Sequence, residues 1–194
     1  GEEDAVRKPD QTYEWIIDPI DGTMNYSRNF PYWCCSIAVR QNSKVLAGCV
    51  HAPEFGDFYT AHIEEPAKRN GEVIAASGTR LLQDALIFTG LSKDIVSRPD
   101  RHFDMFRMLA LNTRKLRING AAALDLCRVA DGTCDGFFET GIYLWDYAAG
   151  GLIAEQAGAA LALYPQQEEP NRYSVLCANE NLISGLRAIH TKCI

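Results

Sequence analysis

Two aspartates, Asp18 and Asp21, stand in the run Trp-Ile-Ile-Asp-Pro-Ile-Asp-Gly-Thr-Met-Asn-Tyr at positions 15–26. Carboxylates this close in sequence suit a hard divalent cation, which takes oxygen ligands. Gly22 permits a tight turn, and Thr23 can cap a helix or supply a hydroxyl. Backbone N–H groups left free after such a turn suit a phosphate oxygen. Ordinary polar turns use the same residue types, so the reading depends on what positions them. A second acidic motif lies far downstream. Phe137, Phe138 and Glu139 are followed by Gly141, and Trp145-Asp146-Tyr147-Ala148-Ala149-Gly150-Gly151 then opens a helix. Asp146 would serve as a helix cap worth ~1 kcal/mol. Gly150 and Gly151 inside a helix each cost about 1 kcal/mol relative to Ala, so this run implies close approach to a neighbouring element.

The elements that must carry these residues follow from pattern. Trp15, Ile16 and Ile17 form a β-favouring apolar run, read as a buried strand that ends at Asp18 and Pro19. Positions 33–40 and 44–51 read as a hairpin, with 41–43 as its turn, and 58–61 as a third strand of an antiparallel meander. The charged run 64–69 and the turn at Asn70 and Gly71 read as a solvated edge. Beyond position 78 the pattern changes. Strands at 85–89, 115–118, 134–139, 161–164 and 173–178 alternate with helices at 99–112, 120–131, 145–157 and 179–192. In the first of these helices Phe103, Phe106, Met108 and Leu109 are the expected core positions. Strands alternating with helices indicate a mixed sheet with helices packed on it. The whole is a mixed α/β or α+β fold in one domain, with an antiparallel lobe at 1–78 and an α/β lobe at 79–194.

Composition narrows the partners. The 194 residues carry a net charge of −6 without a Lys/Arg block, which argues against a nucleic-acid surface. No apolar run reaches membrane-spanning length. The seven cysteines are odd in number and lie in apolar runs without a C-x-x-C pair. Buried free thiols in a reducing cytosol fit them better than disulfides or a zinc site.

Together these segments resemble the inositol monophosphatase family of magnesium-dependent, lithium-sensitive sugar phosphatases. The likeness rests on Gly1-Glu2-Glu3, on 15–26, on Gly120-Ala121-Ala122 and on 139–158, in order along the chain. It implies the family's layered α-β-α-β-α sandwich. It also implies residue roles. Glu2, Asp18, the carbonyl of Ile20, Asp21 and Asp146 would ligate Mg²⁺, with Glu2, Asp18, Asp21 and Thr23 as the catalytic set. Gly22 and Thr23 would hold phosphate, and Gly120, Ala121, Ala122 and Glu139 would contact substrate. The expected reaction is hydrolysis of a small phosphorylated polyol or sugar, inositol monophosphate first, in a cytoplasmic homodimer that binds neither nucleic acid nor membrane. Fructose bisphosphatase or bisphosphate nucleotidase activity is the enzymatic alternative, and a non-catalytic dimerisation or binding module the other. Three departures from the family pattern stand out. A helical pair and a strand expected ahead of Gly1-Glu2-Glu3 are absent from the sequence. The Gly-rich loop after Ala61 reads His62-Ile63-Glu64-Glu65-Pro66. Ala121 replaces a hydroxyl residue.

Overall fold

The computed structural model describes residues 13–91, 93–96, 99–166 and 171–193. Among the described residues there are two sheets. The first is antiparallel and follows chain order: β1 (Tyr13–Asp21), β2 (Cys34–Gln41), β3 (Lys44–Ala52), β4 (Asp57–His62), β5 (Lys68–Arg69) and β6 (Glu72–Val73). A short helix, α1 (Thr23–Ser27), joins β1 to β2. The second sheet has the order β10-β11-β9-β7-β8. Its strands are β7 (Leu86–Thr89), β8 (Lys115–Ile118), β9 (Gly136–Tyr143), β10 (Ala159–Pro165) and β11 (Arg172–Asn179). β7 is parallel to both β8 and β9, while β11 is antiparallel to β9 and β10. The described residues also form the α-helices α2 (Pro99–Asn112), α3 (Ala122–Ala130), α4 (Leu144–Gln156) and α5 (Ile183–Cys193).

Strand periodicity explains the layering. Phe137, Phe88, Val175 and Cys177 join one buried cluster with α3, α4 and the first sheet. Their neighbours Phe138, Ile87, Leu176 and Ala178 join another with Met105, Leu109, Leu182, Leu186 and Ile189 of α2, α5 and the turn before α5. Successive side chains on a strand point to opposite faces, so the second sheet is covered on both. The order is first sheet, α3 with α4, second sheet, α2 with α5. The small residues of α4 let it sit between the sheets. A Cβ on Gly48 of β3 would come 2.9 Å from the Ala149 α-carbon, and one on Gly150 would come 2.7 Å from the Ala123 carbonyl of α3. Both distances are shorter than real Cβ contacts, so the backbones approach closely only because these side chains are absent. No helix among the described residues is long and apolar enough to cross a membrane.

Several sequence expectations need correction. The strand expected to be buried at 15–17 is half-buried: Ile16 is 6% exposed, but Trp15 is 68% and Ile17 54% exposed. Nor does it stop at Pro19. β1 runs on to Asp21 with a register irregularity between Asp18 and Asp21. Among the described residues β1 is an edge strand, where a proline without an N–H breaks no ladder on the unpaired side. The strand at 134–139 instead starts at Gly136 and continues through Gly141, at φ 77, to Tyr143. An irregular register between β9 and β11 accommodates that glycine. Phe103 is exposed on α2, and Met105 takes the core position instead.

The charged edge is only partly solvated. Arg69 of β5 pairs with Asp57 at 2.7 Å and with Asp131 at 3.3 Å. Arg128 of α3 reaches the same two carboxylates at 2.9 and 3.3 Å. Tyr59 donates its hydroxyl to Asp131 at 2.7 Å. Two arginines and two aspartates thus neutralise one another where the first sheet meets α3. All seven cysteines are free thiols.

Candidate metal centre

β1 brings Asp18 and Asp21 to its end, and α4 brings Asp146 to meet them. One oxygen from each of the three carboxylates lies within 4.8 Å of the others. Mg²⁺ takes oxygen ligands at about 2.1 Å, so carboxylates gathered this closely are a suitable donor set for such a cation. Asp21 is 7% exposed. Burial, then Asp146 and Asp18, push its carboxyl well above the usual range, while the Ala123 N–H pulls it down. No Lys or Arg pairs with Asp21 among the described residues. A buried carboxylate beside two others has its charge disfavoured by burial and by like charge, and a bound cation would relieve both.

Each of these carboxylates is held by neighbouring backbone or side chains. Asp18 Oδ1 accepts the N–H of Ile20 at 3.1 Å. Asp21 Oδ2 accepts the Ala123 N–H at 2.7 Å, at the start of α3. The buried Cys34 thiol also points at Asp21 Oδ2, with sulfur 3.7 Å away. Asp146 is not the N-cap expected from sequence. α4 begins at Leu144 with Tyr143 as N-cap, and Asp146 sits at the third helical position. From there its Oδ2 accepts the Tyr143 N–H at 2.7 Å, closing a capping box. Capping uses one oxygen lone pair and leaves others for a ligand. The N-termini of α3 and α4 both meet this cluster, and their partial positive charge favours anionic groups there.

The Gly22 turn is next to this cluster. Gly22 adopts φ 87 and ψ 37, a left-handed conformation suited to glycine. The first N–H groups of α1 beyond it have no carbonyl partner within their own helix. Thr23 donates its hydroxyl to the Ile20 carbonyl at 2.9 Å, and that oxygen keeps a second lone pair. Gly120, at φ +86, and Ala121 pack against the turn: a Cβ on Gly22 would lie 3.2 Å from the Gly120 carbonyl and 3.2 Å from the Ala121 Cβ. The structure therefore brings Asp18, Ile20, Asp21, Gly22, Thr23, Gly120, Ala121, Ala122 and Asp146 together. Glu2 lies outside the described residues.

Glu139 is on the same side. It lies mid-strand in β9, beside Gly90 at the carboxyl end of the parallel strand β7, and its carboxylate occupies the space a Cβ on Gly90 would need. It accepts no hydrogen bond from the described residues. Burial, then Asp125, Asp146 and Asp21, hold its carboxyl well above the usual range. Crevices at the carboxyl ends of parallel strands are common ligand sites, and an unengaged carboxylate there can accept hydroxyls.

Sequence reasoning missed Tyr32, Cys34, Asn119, Ala123 and Asp125. One signal was available: Asp125 interrupts the otherwise apolar stretch Ala-Ala-Ala-Leu-Asp-Leu-Cys of α3. Burial pushes its carboxyl up to about 7, against the opposing pull of hydrogen bonds from Tyr32 and Asn119.

The same architecture recurs in solved structures. The inositol monophosphatase of Anabaena (Nostoc) sp. PCC 7120 superposes with a TM-score of 0.88 at 32% identity, covering 95% of this chain and 74% of that one. The extragenic suppressor protein SuhB of Bartonella henselae gives 0.90 at 29% identity, covering 100% and 76%. Among curated relatives, an inositol monophosphatase of Dictyostelium discoideum is 35% identical over 179 residues, which is 89% of this chain and 64% of that protein. A putative Nus factor SuhB of Neisseria meningitidis serogroup B is 40% identical over 146 residues, or 75% and 56%. The chain thus spans less than two thirds of the length of these curated relatives. The model of the inositol monophosphatase family matches residues 1–193. With that match and the shared two-sheet architecture, the chain belongs to the inositol monophosphatase family.

Proposed function

We propose that this chain carries the site of a Mg²⁺-dependent phosphate monoester hydrolase whose substrate is inositol monophosphate or a similar small phosphorylated polyol. The observation that carries the proposal is the convergence of Asp18, Asp21 and Asp146 within 4.8 Å at the start of two helices. Asp18, Asp21, Asp146, the Ile20 carbonyl and Glu2 would hold the cation. When bound, Mg²⁺ neutralises the phosphate charge and acidifies a ligated water. The N–H groups of Gly22 and Thr23 would meet phosphate oxygens. The Thr23 hydroxyl, already donating to Ile20, would accept a hydrogen from the attacking water. Glu139 would accept hydrogen bonds from polyol hydroxyls, and Gly120, Ala121 and Ala122 would form the facing wall. Ala121 has no hydroxyl to offer, so recognition on that wall falls to backbone groups.

The test is a phosphate-release screen over inositol phosphates, sugar bisphosphates and nucleotide bisphosphates, with Mg²⁺ and with excess EDTA. Mg²⁺-dependent release, fastest on a polyol monophosphate, is expected. Equal release in EDTA would refute the metal role, and preference for a bisphosphate would replace the substrate assignment.

A further inference from the structure

Asp125 is almost fully buried, at 1% exposure, in the first turn of α3. Its Oδ1 accepts two hydrogen bonds, from the Tyr32 hydroxyl at 2.6 Å and from Asn119 Nδ2 at 2.8 Å. Tyr32 lies in the loop between α1 and β2, and Asn119 in the loop between β8 and α3. A second side chain joins the same two loops. Asn25 Nδ2 donates to the Tyr32 carbonyl at 2.7 Å and to the Asn119 carbonyl at 2.8 Å. One tie uses the side chains of residues 32 and 119, and the other uses their backbones.

What these loops enclose is the phosphate-facing turn. A Cβ on Gly22 would stand 3.0 Å from the Tyr32 carbonyl on one side and 3.2 Å from the Gly120 carbonyl on the other. The separation of the loops therefore sets where Gly22 sits. Asp21 precedes it directly and is anchored two residues before Asp125, on the Ala123 N–H. Burying a carboxylate is expensive, and an apolar residue could fill the same volume at lower cost. The neighbouring Arg128 is committed to Asp57 and Asp131. What Asp125 gains in return is a fixed span between two loops.

We propose that Asp125 is a positioning residue: through Tyr32 and Asn119, and alongside Asn25, it clasps the two loops that hold the Gly22 turn against the carboxylate cluster. The kinetic part of this inference rests on the phosphatase reading; the structural part does not. Tyr32→Phe removes one hydroxyl and keeps the ring with its edge contact to Phe55. Asn25→Ala removes the other tie.

The experiment measures amide hydrogen exchange across 22–33 and 118–123, together with kcat and KM for a polyol monophosphate. It uses both single variants, the double variant, Asp125→Leu and Asp125→Asn. Each single variant should lose a few-fold in kcat/KM, because one tie remains. The double variant should lose about a hundredfold, as expected for reacting groups displaced by about 1 Å, and more than the product of the singles. Exchange should accelerate in both segments together. Asp125→Leu should behave like the Tyr32 variant or worse. Asp125→Asn keeps an oxygen for both donors and should restore exchange and turnover, which a mere need for a buried charge would not allow. Wild-type exchange in the double variant would overturn the clasp. So would loosened loops with unchanged kcat/KM per folded molecule. If the wild-type protein released no phosphate from any monoester, the phosphatase reading would fall, while loosened loops in the double variant would still support the clasp.

Discussion

Replacing Asp146 by Asn separates helix capping from the metal binding proposed for this side chain. The capping task needs one oxygen to accept the Tyr143 N–H, now 2.7 Å away, and Asn supplies it. What is lost is a negative charge in the first turn of α4, worth about 0.3–1 kcal/mol. The same charge repels Asp21, whose carboxyl is pushed up by burial and then by Asp146. Relief of that repulsion offsets the loss, so the metal-free variant should match or exceed wild type in Tm. With Mg²⁺ the order should invert. At a Mg²⁺ concentration about 100 times the wild-type Kd, binding stabilises the fold by ~2.7 kcal/mol. A variant binding about a hundredfold more weakly would gain only ~0.4 kcal/mol from the same solution. For a chain of this size 1 kcal/mol moves Tm by about 2–4 °C. Wild type should therefore rise by about 5–10 °C and the variant by about 1 °C. Thermal melts with and without Mg²⁺, on both proteins, make the measurement. A full Mg²⁺ shift in Asp146→Asn would show that this residue only caps a helix.

Other consequences follow from the same geometry. Glu139→Gln should lower kcat/KM on a polyol phosphate by ~1–3 kcal/mol equivalent and leave a hydroxyl-free phosphate ester nearly unaffected; the ratio of the two specificity constants reads this directly. Asp21, Asp125 and Glu139 are all shifted upward, mainly by burial, Asp125 to about 7. The metal-free fold therefore binds more protons than the unfolded chain between the ordinary carboxylate range and pH 7. The part contributed by Asp125 is complete below about pH 4 and lost as pH rises through about 7. Metal-free Tm should fall between about pH 5.5 and about 7.5, and Mg²⁺ should restore it at the higher pH; a flat profile would contradict the assigned shifts. Gly150→Ala places a Cβ 2.7 Å from the Ala123 carbonyl. It should destabilise by about 1–3 kcal/mol in chemical denaturation despite alanine's better helix propensity.

The parts legible in sequence were those governed by local chemistry. Asp18-Pro19-Ile20-Asp21-Gly22-Thr23 announced a carboxylate turn, and Gly150 with Gly151 announced a close helix contact, because each depends on residue type at fixed short spacing. The alternation of strands and helices gave the mixed second sheet. The failures came from tertiary context. Trp15 and Ile17 read as buried because an apolar triplet does not say which of its faces a sheet covers. Glu139 read as a strand end because Gly141 is an ordinary stop signal, and only pairing with β11 carries β9 past it. Arg69 read as solvated because its partners Asp57 and Asp131 are distant in sequence. Asp125 was overlooked for the same reason, since Tyr32 lies 93 residues away.

Metal binding by the three aspartates is read out in a crystal of the protein grown with Mn²⁺ in place of Mg²⁺, with anomalous scattering used to locate the ion. An anomalous peak is expected between the carboxylates of Asp18, Asp21 and Asp146, within bonding distance of the Ile20 carbonyl. A protein that binds Mn²⁺ elsewhere, or shows no peak among these residues at saturating ion, would contradict it.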